Sequence, residues 1–160
     1  MAITNNITRL LDSRKIAYTA FELPAEKLGA LESAALLGVD PAVVFKTIVV
    51  TREKAGKAIL AVVPGTGEVD LKRLAEALGE KKLHLPTEKE AEKLTGLQAG
   101  GISPLALLNK GFQVIIHKTC QQHEWIHISG GQRGLNIRLA PASLIALTNA
   151  RVADICRGEE

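Results

Sequence analysis

The chain has little of what would make several functions plain. Two cysteines, Cys120 and Cys156, lie far apart with no Cys-x-x-Cys pair, which excludes the dense disulfide framework of a small secreted scaffold and predicts free thiols. Five aromatic residues, Tyr18, Phe21, Phe45, Phe112 and Trp125, are too few and too scattered to predict a sheet face on which successive bases stack. No apolar run is long enough to span a bilayer, and Met1-Ala2-Ile3-Thr4-Asn5-Asn6 lacks a basic segment followed by an apolar one. The expectation is a soluble, cytoplasmic protein with no membrane partner. Long repeats, low-complexity tracts and linkers are absent too. The formal net charge is +3, without a basic tract of five or more residues, so an anionic partner is permitted but not demanded. Its 160 residues suit one domain, 1–160, which at such a length buries roughly 68–70% of its unfolded surface.

Periodicity and caps divide this domain into helices interspersed with hairpins. Thr4 to Lys15 reads as a helix with Ile7, Leu10 and Leu11 on one face and Thr4 or Asn5 as cap, followed by a strand from Ile16 to Phe21. Leu31 to Leu37 is a helix closed by Gly38, and Asp40-Pro41 starts a single turn before the strand Phe45 to Thr51. A polar turn, Arg52 to Lys57, joins that strand to Ala58 to Val63 as a hairpin. Asp70 caps a helix from Leu71 to Leu78, and Thr87-Glu88-Lys89-Glu90 has capping-box spacing for a helix that stops before Gly96. Gln113 to His117, Trp125 to Ser129 and Leu135 to Leu139 are strand-like. Pro141 starts a helix to about Asn149, and Val152 to Cys156 reads as a further helical turn. The fold class is α+β, with a mixed, largely antiparallel sheet.

Against this background three stretches carry chemistry. Gly100-Gly101-Ile102-Ser103-Pro104-Leu105 and Ile128-Ser129-Gly130-Gly131-Gln132-Arg133-Gly134-Leu135-Asn136-Ile137 each contain paired glycines. Such pairs let backbone N–H groups approach a ligand oxygen closely; equally, they make tight connections between strands. The third, Val44-Phe45-Lys46-Thr47-Ile48-Val49-Val50, puts a lysine and a threonine into an apolar strand. Lys46 is either a site cation or a strand-edge lysine that discourages aggregation.

Together, in this order and spacing and with Asp70-Leu71-Lys72 between them, these stretches resemble the YbaK/EbsC and prolyl-tRNA-synthetase-associated editing domains, nearly end to end. The resemblance implies a curved mixed sheet with surrounding helices, and hydrolysis of the ester that joins a wrong amino acid to tRNA. Cysteine or another small residue on proline tRNA is the implied substrate, prolyl-tRNA synthetase a candidate partner, and neither DNA nor a cofactor nor a metal is implied. It assigns catalysis to Lys46, Gly100 and Gly101. Substrate contact falls to Tyr18, Phe21, Phe45, Thr47, Ile102, Ser103, Ser129, Gly130, Gly131 and Asn136, with core packing the alternative for Tyr18 and Phe21.

Ester hydrolysis develops charge on the carbonyl oxygen, and each prearranged N–H there lowers the barrier by about 2.7–4 kcal/mol in known cases. No protein nucleophile is evident: Ser103 lies in Gly-Ile-Ser-Pro, not Gly-x-Ser-x-Gly, and neither it nor Ser129 has a histidine at a telling spacing. The resemblance supplies two routes, attack by the substrate's own cysteine thiol or a water oriented by the ribose hydroxyl. Strict alternation sends Thr47 to the face opposite Lys46, so both reach one pocket only through a twist, a bulge or the backbone. Asn136 departs from the aspartate typical of cysteine-removing relatives and loses a charge that could hold an α-ammonium. His117, Cys120, His123 and His127 imitate a zinc cluster in spacing, with exposed positions flanking a hairpin as the plainer reading. The rival to an enzyme is a module of the same fold that binds tRNA or a synthetase without catalysis.

Overall fold

The computed structural model describes residues 3–53 and 56–157. Its first helix, α1 (Asn6–Ser13), begins where Asn5 Oδ1 accepts hydrogen bonds from the N–H groups of Ile7 and Thr8, both at 3.0 Å. The cap satisfies donors that the helix leaves open, and Ile7 and Leu11 turn into the core. β1 (Tyr18–Glu22) follows, then α2 (Ala30–Leu37), which Gly38 ends in a left-handed conformation. β2 (Phe45–Arg52) and β3 (Ile59–Pro64) form the expected hairpin; of its turn, residues 54–55 lie outside the described residues. Next come β4 (Glu68–Val69), α3 (Leu71–Leu78) behind its Asp70 cap, β5 (Leu83–His84) and α4 (Glu88–Thr95) behind the Thr87/Glu90 capping box. β6 (Gln113–His117), β7 (Ile126–Ser129), β8 (Leu135–Leu139), α5 (Pro141–Thr148), β9 (Arg151–Ala153) and β10 (Cys156–Arg157) complete the order.

Five strands run β5-β2-β3-β6-β9, antiparallel across the first two contacts and parallel across the last two. Three more run β1-β8-β7, antiparallel throughout, and β4 pairs with β10. A single parallel bridge, Val44 to His127, links the two larger sheets at the start of β2. The fold is therefore α+β with a curved, mixed and largely antiparallel sheet.

All six residues of β3 are buried, because both of its faces are covered. Leu60 and Val62 pack into a cluster with Ile7, Ile128, Ile137 and Leu144, whereas Ile59, Ala61 and Val63 pack against Leu74 of α3 and Ile155. A central strand covered twice reads as one apolar run, and each such Leu, Ile or Val fully buried contributes about 1.5–3 kcal/mol. That rigid layer fixes its neighbour β2, the strand that carries Lys46.

The segment Val152 to Cys156 is not helical. Val152 pairs with Ile116 and Cys156 with Val69, so the chain end closes two sheet edges as β9 and β10. Pairing partners far away in sequence override the local preference. The single turn expected after Asp40 is the 3-10 turn Pro41–Val43, whereas β4 and β5, two residues each, and the 3-10 turns at Pro104–Leu107 and Lys118–Gln122 are too short for periodicity to show. Among the described residues no helix is long and apolar enough to cross a membrane.

Candidate active site

The site lies where β2 parts from β7. The Gly65 N–H donates to the Val44 carbonyl at 2.7 Å, which turns the backbone groups of Val44 toward β3. By the two-residue alternation those of Lys46, Ile48 and Val50 also face β3, and those of Phe45, Thr47 and Val49 face the opposite edge. Pro64, the partner of Phe45, has no N–H to give and agrees with this parity. Among the described residues the outer edge of β2 pairs with β7 only at the Val44–His127 bridge and with β5 only at Thr51 and Arg52. Between these contacts the strand borders a cavity of about 380 Å³, a volume suited to a small ligand. The Thr47 and Val49 backbone groups there are available to a ligand or water.

Lys46 and Thr47 both line this cavity although alternation puts them on opposite faces of β2, and Phe45, Ile48 and Val49 of the same strand line it with them. The bridge sets the register: Lys46 follows Val44 by two residues as Ser129 follows His127, Ser129 pairs with Asn136, and Asn136 pairs with Phe21. Lys46, Ser129, Asn136 and Phe21 thus share one level on neighbouring strands. The first three of these line the cavity with Phe45, Thr47, Gly100 and Ile102; Ser33 of α2 and Glu88 of α4 border it from the helices. No histidine, cysteine or aspartate is among its lining residues.

The two glycine loops pack against each other. A Cβ on Gly101 would stand 2.9 Å from Gln132 Cα, and Arg133 Nε donates to the Ala99 carbonyl at 2.8 Å. Their roles differ. Gly100 lines the cavity with φ +89° and its N–H has no partner among the described residues, whereas the Gly101 N–H donates to the Gln98 carbonyl at 2.8 Å. Gly130 and Gly131 do not line the cavity: a Cβ on Gly130 would meet Leu135, and one on Gly131 would stand 2.7 Å from Ile7 Cδ1. Asn5 Nδ2 donates to the Gly130 carbonyl at 2.8 Å, which ties this loop to α1. Ser103 is fully buried, and its Oγ accepts from the Leu105 N–H at 3.2 Å. The Ser129 Oγ accepts from the Gly131 N–H at 3.2 Å. Tyr18 packs on the core and donates to Asp12 Oδ1 at 2.9 Å, outside the cavity.

Residues 25–147 match the model of the aminoacyl-tRNA editing domain, a span that holds Lys46, both glycine loops and Asn136. The chain belongs to the aminoacyl-tRNA editing domain family. It is 36% identical over 156 residues to EbsC of Enterococcus faecalis, named for deacylation of Cys-tRNA(Pro) and Cys-tRNA(Cys); the match covers 96% of this chain and 94% of that protein. The prolyl-tRNA editing protein ProX of Acetoanaerobium sticklandii is 30% identical over 100 residues, 62% of this chain and 60% of ProX. A crystal structure described as a trans-editing enzyme for prolyl-tRNA synthetase superposes with a TM-score of 0.80 at 28% identity, over 98% of this chain and all of the other. The editing domain is an aminoacyl-tRNA deacylase, with misacylated tRNA as its substrate.

In this editing domain Asn136 is 5% exposed, and its Oδ1 lies 2.8 Å from Nδ1 of His127, itself 3% exposed. Burial lowers the pKa of His127 below its ordinary 6.5 against the opposing pull of the Asn136 hydrogen bond, and the Arg138 charge lowers it further. The ring is neutral at pH 7 and anchors the amide that lines the cavity. The zinc-like spacing resolves otherwise than by exposure: His117, Cys120 and His127 are buried, and His117 Nδ1 accepts the Ile155 N–H at 3.1 Å. His127 lies on the sheet face opposite the core residues Ile126 and Ile128, with the Phe21 ring 5.5 Å away, whereas Cys120 is fully buried in the turn Lys118–Gln122. Burial also pushes the Cys120 thiol up to about 11. Sequence reasoning missed His127 as the partner of Asn136 and Glu88 as a bordering residue that pairs with Lys27 at 3.0 Å. The cross-strand register that places His127 one row from Asn136 was the available signal.

Proposed function

We propose that this editing domain hydrolyses the ester of Cys-tRNA(Pro), or of another small amino acid on tRNA(Pro), in the cytoplasm and in trans to prolyl-tRNA synthetase, and that the whole chain is one editing domain. The names of the relatives support the substrate. The observation that carries the chemistry is a cavity lined by Lys46 and by Gly100, whose N–H has no partner among the described residues, with no histidine or cysteine among its lining residues. Lys46 and the Gly100 N–H stabilise the carbonyl oxygen as charge develops, and the Thr47 and Val49 edge holds the acyl group in place. Ser103 takes no nucleophilic part because it is fully buried and does not line the cavity, and Ser129 takes none because no histidine lines the cavity to accept its proton.

The substrate supplies the attacking atom. A cysteinyl thiol attacks its own carbonyl carbon, the carbon–sulfur bond forms as the ester carbon–oxygen bond breaks, the thiol proton passes to the departing ribose oxygen, and water then opens the resulting four-membered thiolactone to free cysteine. Where the amino acid has no thiol, water held by the neighbouring ribose hydroxyl adds instead. Asn136 contributes a neutral amide to this pocket, so the acyl group is held by shape and hydrogen bonds rather than by an ion pair at that position.

The test is a panel of tRNA(Pro) charged with cysteine, alanine, serine and threonine, run with the wild type and Lys46→Ala. Cysteine, alanine or both are released above the spontaneous rate, and Lys46→Ala lowers kcat/KM at least about tenfold with Tm unchanged. Unchanged turnover in the variant removes Lys46 from the site. Failure of the wild type on every charged tRNA favours a module that binds without catalysis.

A further inference from the structure

Phe21 and Trp125, far apart in sequence, meet on one face of the β1-β8-β7 sheet with Arg138 between them. The Arg138 Cζ lies 5.7 Å from the centre of the Phe21 ring and 5.3 Å from that of Trp125. Ile137 and Leu139 point into the core, so Asn136 and Arg138 share the opposite face. The pairing Thr19–Arg138–His127 is the row next to Phe21–Asn136–Ser129, whose last two members line the cavity. One strand step of two residues, about 6.8 Å, therefore separates Arg138 from the cavity wall.

The charge of Arg138 has no anionic partner among the described residues: its Nη2 donates to Thr19 Oγ1 at 3.2 Å, and its buried Nε has no partner there. At another border of the cavity, by contrast, Lys27 is neutralised by Glu88. A partly exposed guanidinium with donors to spare, set between aromatic rings, matches what an unpaired nucleic-acid strand offers: an anionic phosphodiester for the fork and a base for the ring. A buried donor without an acceptor is unfavourable until a ligand or water supplies one.

We propose that Arg138, Phe21 and Trp125 form a second subsite, which takes the phosphodiester on the 5′ side of the terminal adenosine and the base of the nucleotide before it. This rests on the deacylase reading: an ester seated in the cavity is attached to a single-stranded acceptor end that must leave across a neighbouring surface. Arg138 acts on tRNA capture and the cavity acts on the ester, so two substrates separate the two. One is the aminoacyl-tRNA that the panel identifies; the other is the same amino acid esterified to adenosine alone, which has no 5′ phosphodiester.

In Arg138→Gln, KM for aminoacyl-tRNA rises about tenfold with kcat retained, and the salt slope of log KM falls by about 0.7, the loss of one phosphate contact on a single strand. Hydrolysis of aminoacyl-adenosine changes less than about twofold in the same variant, since no phosphate contact is at stake there. Arg138→Lys, which keeps the charge and loses the fork, serves where the glutamine variant does not fold, with a rise of about threefold confined to tRNA. An equal loss on both substrates, or no change in KM for tRNA, overturns the subsite. Wild-type protein inert toward both overturns the deacylase reading, and the subsite with it.

Discussion

The two glycine pairs look alike in sequence and do different work. Gly100 lines the cavity and its N–H has no partner among the described residues, and the next residue holds the turn through Gln98. Around Gly130 and Gly131 the glycines exist for close packing, against Leu135 and Ile7, and the loop is moored to α1 by Asn5. A glycine pair is thus evidence of close approach, and only the neighbours decide whether a ligand or the protein itself comes close. The two loops depend on each other through Gly101, whose missing side chain lets the Gln132–Arg133 backbone in.

The change that breaks this comparison most is Gly101→Ala. The new Cβ would stand 2.9 Å from Gln132 Cα and 3.1 Å from Arg133 N, and backbone cannot give way as a flexible side chain can. The loops part and the Gly100 N–H moves with them; a displacement of about 1 Å costs about 10²-fold in rate. Single-turnover deacylation below the unfolding transition reads the loss, and wild-type rates in the variant would mean that the packed loops do not hold the site. Gly130→Ala gives the complementary result. Its Cβ would run into the buried Leu135 side chain, an overpacking that costs about 1–3 kcal/mol of stability. Thermal unfolding shows a lowered Tm, while kcat/KM of the folded protein stays within about threefold of wild type because this glycine does not touch the cavity.

Much of the architecture was legible because caps and alternation are local. Asn5, Asp70, the Thr87/Glu90 box and Gly38 mark helix ends where they stand. The last strands were not legible, since Val152 is extended only because Ile116 lies beside it. The motif residues Lys46 and Gly100 line one cavity, whereas Gly101, Gly130 and Gly131, which the motifs singled out with them, do not. That adjacent Lys46 and Thr47 line it together could not be read from alternation alone, which puts them on opposite faces of β2. The contact of Phe21 and Trp125 with Arg138 was equally hidden: dispersion in sequence says nothing of proximity across three paired strands.

The smallest effect sharpens the contrast from the strand that leads into the second loop. His127 on β7 holds Asn136 as a neutral ring, with burial as the main reason for its lowered pKa. Well above pH 7 neither the folded nor the unfolded state binds a proton at this site, and the two begin to differ as the pH approaches the unfolded value near 6.5. Below 6.5 the unfolded chain takes up a proton that the folded ring refuses, so this group destabilises the fold as pH falls and the loss levels off beneath the folded pKa. In His127→Gln, which cannot titrate, the decline of Tm on acidification is shallower than in wild type. Parallel curves for the two proteins would show that the ring is not held neutral. The second loop's flank would then be anchored by packing alone, as the loop itself is.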